Sequence, residues 1–304
     1  MTKIVVTNHQ EFTPEQKQKL DSLGDVKYYE TLPKDGEEYL QRVKGADIIC
    51  SGTAGLTDAY AKLKNVYVTV AYVSVAFVDI DVLRKNNVTL SNAPGSNRHA
   101  VSEWVMYMVL QLMRDFSDFV NSTENIRKNG GMPHLTRGLA GNKMTILGKG
   151  HIGTRVGELA KAFEMNVNYF SRADDLYTSV KDADVVVDVL SSNPTTKGLL
   201  DGKFFDAMKQ GSYFVSVTRS EILDENAMLA ALDNSKLKGA ALDCSGILVG
   251  DTDDPNYKKL LAHPKVYVTP HTAYNTFMST QTGAKIMVEN VEAYIKGKPQ
   301  NVVT

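Results

Sequence analysis

Short runs of β-branched and apolar residues alternate with segments of helical periodicity along most of the chain. Residues 3–7 predict a strand, and the helix signal after it has Thr13 as a cap, Pro14 in the first turn and Gln16 placed to complete a capping box. Such alternation is typical of crossover units on a parallel sheet. Further strands are predicted at 47–50, 66–70 and 88–91. We therefore expect a small α/β domain at the start of the chain.

A second series follows a long apolar helix signal over 100–120, which is apolar on most sides and is therefore expected to be buried. Strands of this series are predicted at 144–147, 167–170, 185–189, 213–217, 240–242 and 266–269. A last helix is predicted over 280–296, before Gly297 and Pro299. The predicted fold class is α/β, with two Rossmann-like or flavodoxin-like domains built on parallel sheets.

Composition narrows the classes of partner. The 304 residues are 43% hydrophobic, enough for two cores, and 34 basic residues face 35 acidic ones. Such a balance does not favour nucleic acid or an anionic membrane, so a small-molecule partner is expected. The first residues turn polar too soon for a signal peptide, which predicts a cytoplasmic protein. Cys50 and Cys244 are far apart, which predicts reduced, packed thiols and no metal site.

A glycine pattern stands between a predicted strand and a predicted helix. Gly148, Gly150 and Gly153 form a G-x-G-x-x-G motif directly after the strand at 144–147. The first glycine permits a tight turn, the second lets backbone approach a pyrophosphate, and the third allows close packing of the helix. This context predicts a dinucleotide site.

The end of the next strand bears on the choice of dinucleotide. An acidic residue that binds the adenosine ribose of NAD usually stands there, but this chain has Ser171 followed by Arg172. The guanidinium can pair with the 2′-phosphate of NADP, so NADP is favoured over NAD. Binding of both cofactors stays open, because Asp174 and Asp175 follow closely.

Several motifs in order and spacing resemble the D-isomer-specific 2-hydroxyacid dehydrogenases, in particular the glyoxylate and hydroxypyruvate reductases. The matching segments are 92–95, 100–103, 138–153, 184–187, 193–198, 218–220, 239–243 and 269–273. The resemblance implies a substrate domain formed by 1–97 and 276–304, and a dinucleotide-binding domain formed by 98–275. It also implies a homodimer paired through the region of Trp104, Met106, Tyr107 and Met108.

The resemblance also implies roles for single residues. Arg219 would bind the substrate carboxylate, and His271 would donate or accept the proton while hydride passes to or from the nicotinamide. Substrate contacts would further come from Ser74, Val75 and Ala76. Cofactor contacts would come from Gly148, Gly150, His151, Ile152, Gly153, Ser171, Arg172, Thr218 and Asp243.

Two departures from the family pattern concern the chemistry. The family has a glutamate that hydrogen-bonds the histidine at the position of Leu248. A leucine cannot accept a hydrogen bond, so His271 is expected to be a weaker proton donor at neutral pH. In the loop at 74–81 side chains replace glycines, so the carboxylate site there depends on the backbone that Ala76 adopts. Arg98 replaces a small residue, either as an extra anion contact or as a solvated cation.

Three functions from different classes fit these features. The leading hypothesis is an NADP-preferring oxidoreductase that reduces a small 2-oxo acid. The alternative is a dinucleotide-binding protein of this fold that has lost hydride chemistry and acts as a sensor or interaction module. A third option is a different reduction at the same site. The absence of the glutamate favours the last two, and Arg219, His271 and the glycine motif favour the first.

Overall fold

A computed structural model describes residues 1–131, 135–244 and 249–304. The chain divides into two compact units, Met1–Asn97 with Asn275–Thr304 and Arg98–Tyr274. We call them unit 1 and unit 2. The two sheets and their helices agree with the predicted α/β class.

The strands and helices alternate along both units. The strands are β1 Lys3–Val6, β2 Asp25–Tyr28, β3 Ile48–Ser51, β4 Tyr67–Val70, β5 Thr89–Ser91, β6 Lys143–Leu147, β7 Asn166–Phe170, β8 Val185–Asp188, β9 Ser212–Ser216, β10 Leu237–Asp243 and β11 Val266–Thr269. The helices are α1 Pro14–Asp21, α2 Gly36–Arg42, α3 Leu56–Ala59, α4 Ile80–Lys85, α5 Arg98–Arg114, α6 Phe116–Asn129, α7 His151–Ala162, α8 Leu176–Val180, α9 Gly202–Ala207, α10 Glu225–Asp233, α11 Pro255–Leu261 and α12 Phe277–Ile295.

Unit 1 is a five-stranded parallel sheet in the order β2-β1-β3-β4-β5. Apolar clusters cover both faces, which explains why β3 and β4 are buried along their whole length. The predicted capping box is present at α1, where Thr13 and Gln16 bond each other's backbone. Helix α12 is fixed to the sheet by the buried Asn290, whose side chain donates to the Thr69 hydroxyl and to the carbonyl of Asn92.

Unit 2 is a six-stranded parallel sheet in the order β11-β10-β9-β8-β6-β7. Two clusters of buried residues cover its faces, one formed with α5 and α7 and the other with α8 to α11. Since the chain passes from β6 to β7 on one side and then to β8 on the other, the strand order reverses between β6 and β8. Ligands of open α/β sheets bind at such a reversal, beside the carboxyl ends of the strands.

Two elements differ from the prediction. Strand β2 was not predicted, because it is an edge strand of four residues, partly or fully exposed, with a charged residue at every second position. The helix signal over 100–120 covers two helices rather than one, since Asp115 has a positive φ of 48° between α5 and α6. A left-handed residue breaks the helical hydrogen-bond ladder, and sequence periodicity does not reveal it.

Most of the α5 residues through which a dimer was expected to pair are covered within unit 2. Met106 and Met108 are buried and Trp104 packs against the same core of unit 2, so only Tyr107 of this group is exposed. Cys50 and Cys244 are both free and buried, as predicted. In the described part of the chain, the helices are too short or too polar to cross a membrane.

Candidate active site

The parallel register of unit 2 brings the ends of its six strands to one edge of the sheet. Leu147 of β6 is aligned with Asp188 of β8, and Asp188 with Ser216 of β9. Farther along, Asp243 of β10 is aligned with Thr269 of β11. The glycine motif, Arg219 and His271 each follow one of these strands. The sequence-predicted residues of unit 2 therefore follow the carboxyl ends of neighbouring strands.

The glycine motif connects β6 to α7 by a turn that side chains would block. Gly148 has a φ of +104°, and a Cβ on Gly153 would lie 2.0 Å from the carbonyl oxygen of Gly148. By contrast, a Cβ on Gly150 would meet nothing within 4 Å. Gly150 is also the N-cap of α7, and as a glycine it has no side chain that could cap the helix. The first N–H groups, those of His151 and Ile152, therefore donate no hydrogen bond to an N-cap side chain. This geometry fits a phosphate that approaches the backbone at Gly150.

A second close approach lies one turn further along α7. A Cβ on Gly157 would lie 2.0 Å from the hydroxyl oxygen of Tyr169 on β7. Gly157 thus lets the helix lie against the sheet at a second point. The glycine motif ends at Gly153, so it did not single out Gly157.

Basic side chains surround the start of α7. A pocket of about 460 Å³ is lined by Arg98, His99, Lys149, Gly150, His151, Thr154, Arg155 and Glu158. Arg98 therefore lies beside the glycine motif, where its Nε donates to Nε2 of His99. One acidic residue, Glu158, is paired with Arg155 at 2.9 Å. The excess of positive charge suits an anion such as a pyrophosphate.

The turn after β7 combines the predicted Ser171 and Arg172 with an acidic residue. The backbone N–H and hydroxyl of Ser171 both donate to Oδ2 of Asp174 at 2.7 Å. The hydrogen bond from the Ser171 hydroxyl is the largest of the effects that lower the pKa of Asp174. Arg172 is exposed and has no ion-pair partner within the described ranges. A carboxylate thus lies near the strand end after all, three residues beyond Ser171.

Thr218 and Arg219 follow β9. The Thr218 hydroxyl donates to Oδ2 of Asp188, and Ser216 donates to the same oxygen at 3.0 Å. The Arg219 side chain is 46% exposed, and its Nε donates to Oε1 of Glu221 at 3.2 Å. Thr218 is thus bound to the end of β8, while the guanidinium reaches solvent.

Asp188 is a fully buried carboxyl at the point where the strand order reverses. Burial raises its pKa to about 6, and hydrogen bonds from Thr218, the backbone of Leu190 and Ser216 act in the opposite direction. Asp188 stands within the strand predicted at 185–189, and no role for it is predicted from the sequence. The sequence does carry a signal, because an aspartate follows three valines at the end of this strand.

His271 lies in a loop that Asp243 holds by three hydrogen bonds. One carboxylate oxygen of Asp243 accepts from the Thr269 hydroxyl and the Thr272 N–H, and the other accepts from the Ala273 N–H. His271 itself has a φ of 55°, and its buried Nδ1 has no hydrogen-bond partner in the described part of the chain. Asp243 thus fixes the histidine loop, a role that was not predicted.

The predicted substrate loop belongs to unit 1. Ala76 has no positive φ, and its N–H donates to the Ser74 hydroxyl at 3.4 Å. Val75 is anchored through its carbonyl, which accepts from Val78. Leu248, the position that departs from the family pattern, lies outside the described residues.

Replacing the buried carboxyl should change how stability depends on pH. The pKa of Asp188 is raised to about 6 in the fold, from about 4 in the unfolded chain. The contribution of Asp188 to stability is therefore fully present below pH 4 and is lost as the pH rises through 6. Asp188→Asn removes this loss, about 3 kcal/mol above pH 7. Urea unfolding followed by Trp104 fluorescence from pH 4 to 8 measures it. The exposed Asp182→Asn is the control, and its unfolding free energy should follow the same pH dependence as the wild type. If Asp188→Asn also follows this dependence, the expectation is wrong.

The glycines of the motif should separate stability from binding. Gly153→Ala places a methyl group against the Gly148 carbonyl, and we expect a loss of about 3 kcal/mol in unfolding free energy. Gly150→Ala enters open space and should keep the unfolding midpoint, yet weaken dinucleotide binding about tenfold or more, since the methyl group occupies the phosphate approach. Unfolding curves and fluorescence titrations with NADPH measure both. If Gly150→Ala binds NADPH as tightly as the wild type does, the phosphate does not approach the backbone at Gly150.

Known proteins with similar sequences are dehydrogenases. The family model described as "D-isomer specific 2-hydroxyacid dehydrogenase, NAD binding domain" matches residues 106–273. D-3-phosphoglycerate dehydrogenase of Bacillus subtilis (strain 168) is 29% identical over 266 residues, which cover 83% of this chain and 50% of that protein. A putative 2-hydroxyacid dehydrogenase of Staphylococcus aureus (strain MRSA252) is 29% identical over 242 residues, 74% of this chain and 75% of that protein. The chain thus spans about half the length of the first relative.

A solved structure agrees in fold. The acyclic imino acid reductase in complex with NADPH and D-Arg has a TM-score of 0.80 and 23% sequence identity, with 100% of both chains covered. At this identity the likeness shows the fold alone. The family model, in contrast, covers more than half of the chain. This chain belongs to the D-isomer specific 2-hydroxyacid dehydrogenase family.

Proposed function

We propose that this protein is an NADP-preferring oxidoreductase that reduces a small 2-oxo acid to the 2-hydroxy acid. The observation that carries the proposal is the edge of the unit 2 sheet, where the glycine motif, Arg219 and His271 follow the ends of β6, β9 and β11. A cation for a carboxylate and a proton donor for an oxygen are the groups that such a reduction needs. Unit 2, as 98–275, is the dinucleotide-binding domain, and 1–97 with 276–304 is the substrate domain.

The cofactor phosphates bind at the start of α7. When bound, the cofactor supplies the hydride for the reduction. The N–H groups of His151 and Ile152 and the open approach at Gly150 receive the pyrophosphate, and the basic pocket offsets its charge. Arg98 acts there as an additional anion contact.

The substrate is held through its carboxylate. The planar guanidinium of Arg219 suits bidentate binding of a carboxylate, and its exposure leaves it accessible. Substrate contacts from Ser74, Val75 and Ala76 of unit 1 stay a prediction from the family resemblance. His271 holds the proton that the substrate oxygen receives, and Asp243 fixes the loop that positions the histidine.

The cofactor preference rests on the turn after β7. Arg172 is exposed and able to bind a 2′-phosphate, which favours NADPH. Asp174, which Ser171 holds in place, repels the same phosphate and keeps the preference modest. The two charges therefore set the ratio of NADPH to NADH affinity between them.

Three substitutions test this preference. Arg172→Gln should weaken NADPH binding about tenfold, the value of a charge-assisted hydrogen bond, and leave NADH binding nearly unchanged. Asp174→Asn should strengthen NADPH binding, and Ser171→Asp should make NADH the tighter ligand. Fluorescence titration gives both dissociation constants for each variant, with NADH as the internal control. Tighter binding of NADH by the wild type would overturn the preference.

The reaction itself is tested by NADPH oxidation with glyoxylate, hydroxypyruvate and pyruvate from pH 5 to 9. His271→Ala should lower the rate by about a hundredfold or more, because the proton donor is lost. Arg219→Ala should raise KM and lower kcat together. Leu248→Glu should raise the rate near neutral pH and move the basic limb of the profile upward, because the buried Nδ1 of His271 lacks a partner within the described ranges.

Circular dichroism of each variant must first match the wild type, since a carboxyl in an apolar site can disturb packing. Activity that is indifferent to His271→Ala would exclude the proposed proton donor. Binding of NADPH without reduction of any 2-oxo acid would favour the dinucleotide-binding sensor or interaction module instead.

The proposal includes a homodimer formed through α5 and α6. Four large apolar side chains of these helices are about half exposed, namely Tyr107, Phe116, Phe119 and Val120. A cluster of exposed apolar residues on adjoining helices is typical of a subunit interface.

Sedimentation velocity at micromolar concentration tests the assembly. The wild type should sediment as a dimer, and Phe119→Glu should shift it to a monomer because a charge in an apolar interface is costly. Leu32→Glu is the matched control, since Leu32 is an exposed leucine of unit 1. A monomeric wild type, or a dimer unaffected by Phe119→Glu, would remove this interface.

A further inference from the structure

A hydrogen-bonded chain of three side chains joins the segments that follow β8 and β9. The hydroxyl of Ser192 donates to Oε1 of Glu221 at 2.7 Å. The same oxygen accepts from Nε of Arg219 at 3.2 Å. One carboxylate oxygen thus connects the proposed substrate-binding arginine to a serine on the neighbouring segment.

Backbone hydrogen bonds fix the position of Glu221. Its carbonyl accepts from the Gly198 N–H at 2.8 Å, and the next carbonyl, of Ile222, accepts from Leu200 at 3.0 Å. The Ile222 N–H in turn donates to the Arg219 carbonyl at 3.0 Å, which closes a turn around Glu221. The carboxylate therefore extends from an anchored backbone, although the side chain itself is 37% exposed.

The contact with Arg219 uses one particular part of the guanidinium. Glu221 accepts from Nε, and within the described ranges no other side-chain hydrogen bond of Arg219 is present. A guanidinium has five N–H donors in a planar fork, so occupation of Nε leaves the two terminal nitrogens to bind a second carboxylate side by side. The chain Ser192–Glu221 also limits rotation of the long arginine side chain.

Glu221 is ionised under working conditions. The hydrogen bond from Ser192 is the largest effect on its pKa, and together with Arg219 it holds this pKa below its usual range. A negative charge is thus present beside Nε at neutral pH.

We propose that Glu221, held by Ser192, is a positioning residue for Arg219, which turns the terminal nitrogens of the guanidinium toward the substrate carboxylate. This inference rests on the proposed function, in which Arg219 binds that carboxylate. Glu221 was not among the residues predicted from the sequence, because a glutamate in an exposed turn carries no signal of its own.

If Glu221 served only to stabilise the fold, its removal would lower the unfolding midpoint. An ion pair this exposed contributes little to stability, so its removal should leave the unfolding midpoint unchanged. The effect of Glu221 should appear instead in the binding of carboxylates to Arg219. These two readouts separate positioning from folding.

The experiment measures KM and kcat for the best 2-oxo acid, and the dissociation constants of oxamate and NADPH. Glu221→Ala should raise KM and the oxamate dissociation constant about fivefold, with a smaller change in kcat and no change for NADPH. Glu221→Gln should recover part of this loss, because an amide oxygen still accepts from Ser192 and Arg219. Ser192→Ala should shift the same constants in the same direction. Glu289→Gln, which removes an exposed carboxylate paired with Lys285, is the matched control.

A nuclear magnetic resonance readout is independent of turnover. The side-chain ¹⁵Nε–¹Hε signal of Arg219, assigned by its loss in Arg219→Lys, should move in Glu221→Gln and stay in place in Glu289→Gln. Unchanged oxamate binding in Glu221→Ala, tighter binding, or an unmoved Nε signal would overturn the positioning role. A wild type that neither reduces 2-oxo acids nor binds oxamate would remove the proposed function, while a moved signal would still support the Glu221–Arg219 contact.

Discussion

The close approach of α7 to the end of β6 determines where the first N–H groups of this helix lie in the candidate site. It exists because Gly153 has no side chain where the Gly148 carbonyl passes, and Gly157 repeats the arrangement against Tyr169. A side chain at Gly153 would meet that backbone carbonyl and move the helix, and with it the N–H groups at the start of α7. The position of these groups thus depends on a residue that has no side chain of its own.

Parallel strands supply the second constraint. Since β6, β8, β9, β10 and β11 run in the same direction, the segments that follow them begin at one edge of the sheet. Two buried carboxylates then join these segments from within. Asp188 binds the segment after β9, and Asp243 binds the loop after β11. Residues that the sequence separates by many positions are in this way held as one group without a metal or disulfide in the described part of the chain.

Much of this arrangement follows from the sequence, and the rest has identifiable causes. Buried strands and the glycine motif carry strong local patterns, so ten of the eleven strands of the described chain and the turn from β6 into α7 could be predicted. Edge strand β2 could not, because its residues are alternately exposed and partly buried, and its short, charged sequence resembles a loop. The carboxylates of Asp174 and Glu221 are held by hydrogen bonds to Ser171 and Arg219, which depend on the conformation of turns.

The hydrogen bonds of Asn290 have a consequence for the order of folding. They join α12 to residues 221 and 198 positions earlier in the chain. Unit 2, by comparison, is built from one continuous segment. During synthesis, unit 2 can therefore collapse around its own core while unit 1 still waits for its closing helix, since chain segments fold as they emerge. Closing so long a loop by diffusion is entropically costly. Formation of the contacts of Asn290 is thus expected to be a late step in the folding of unit 1.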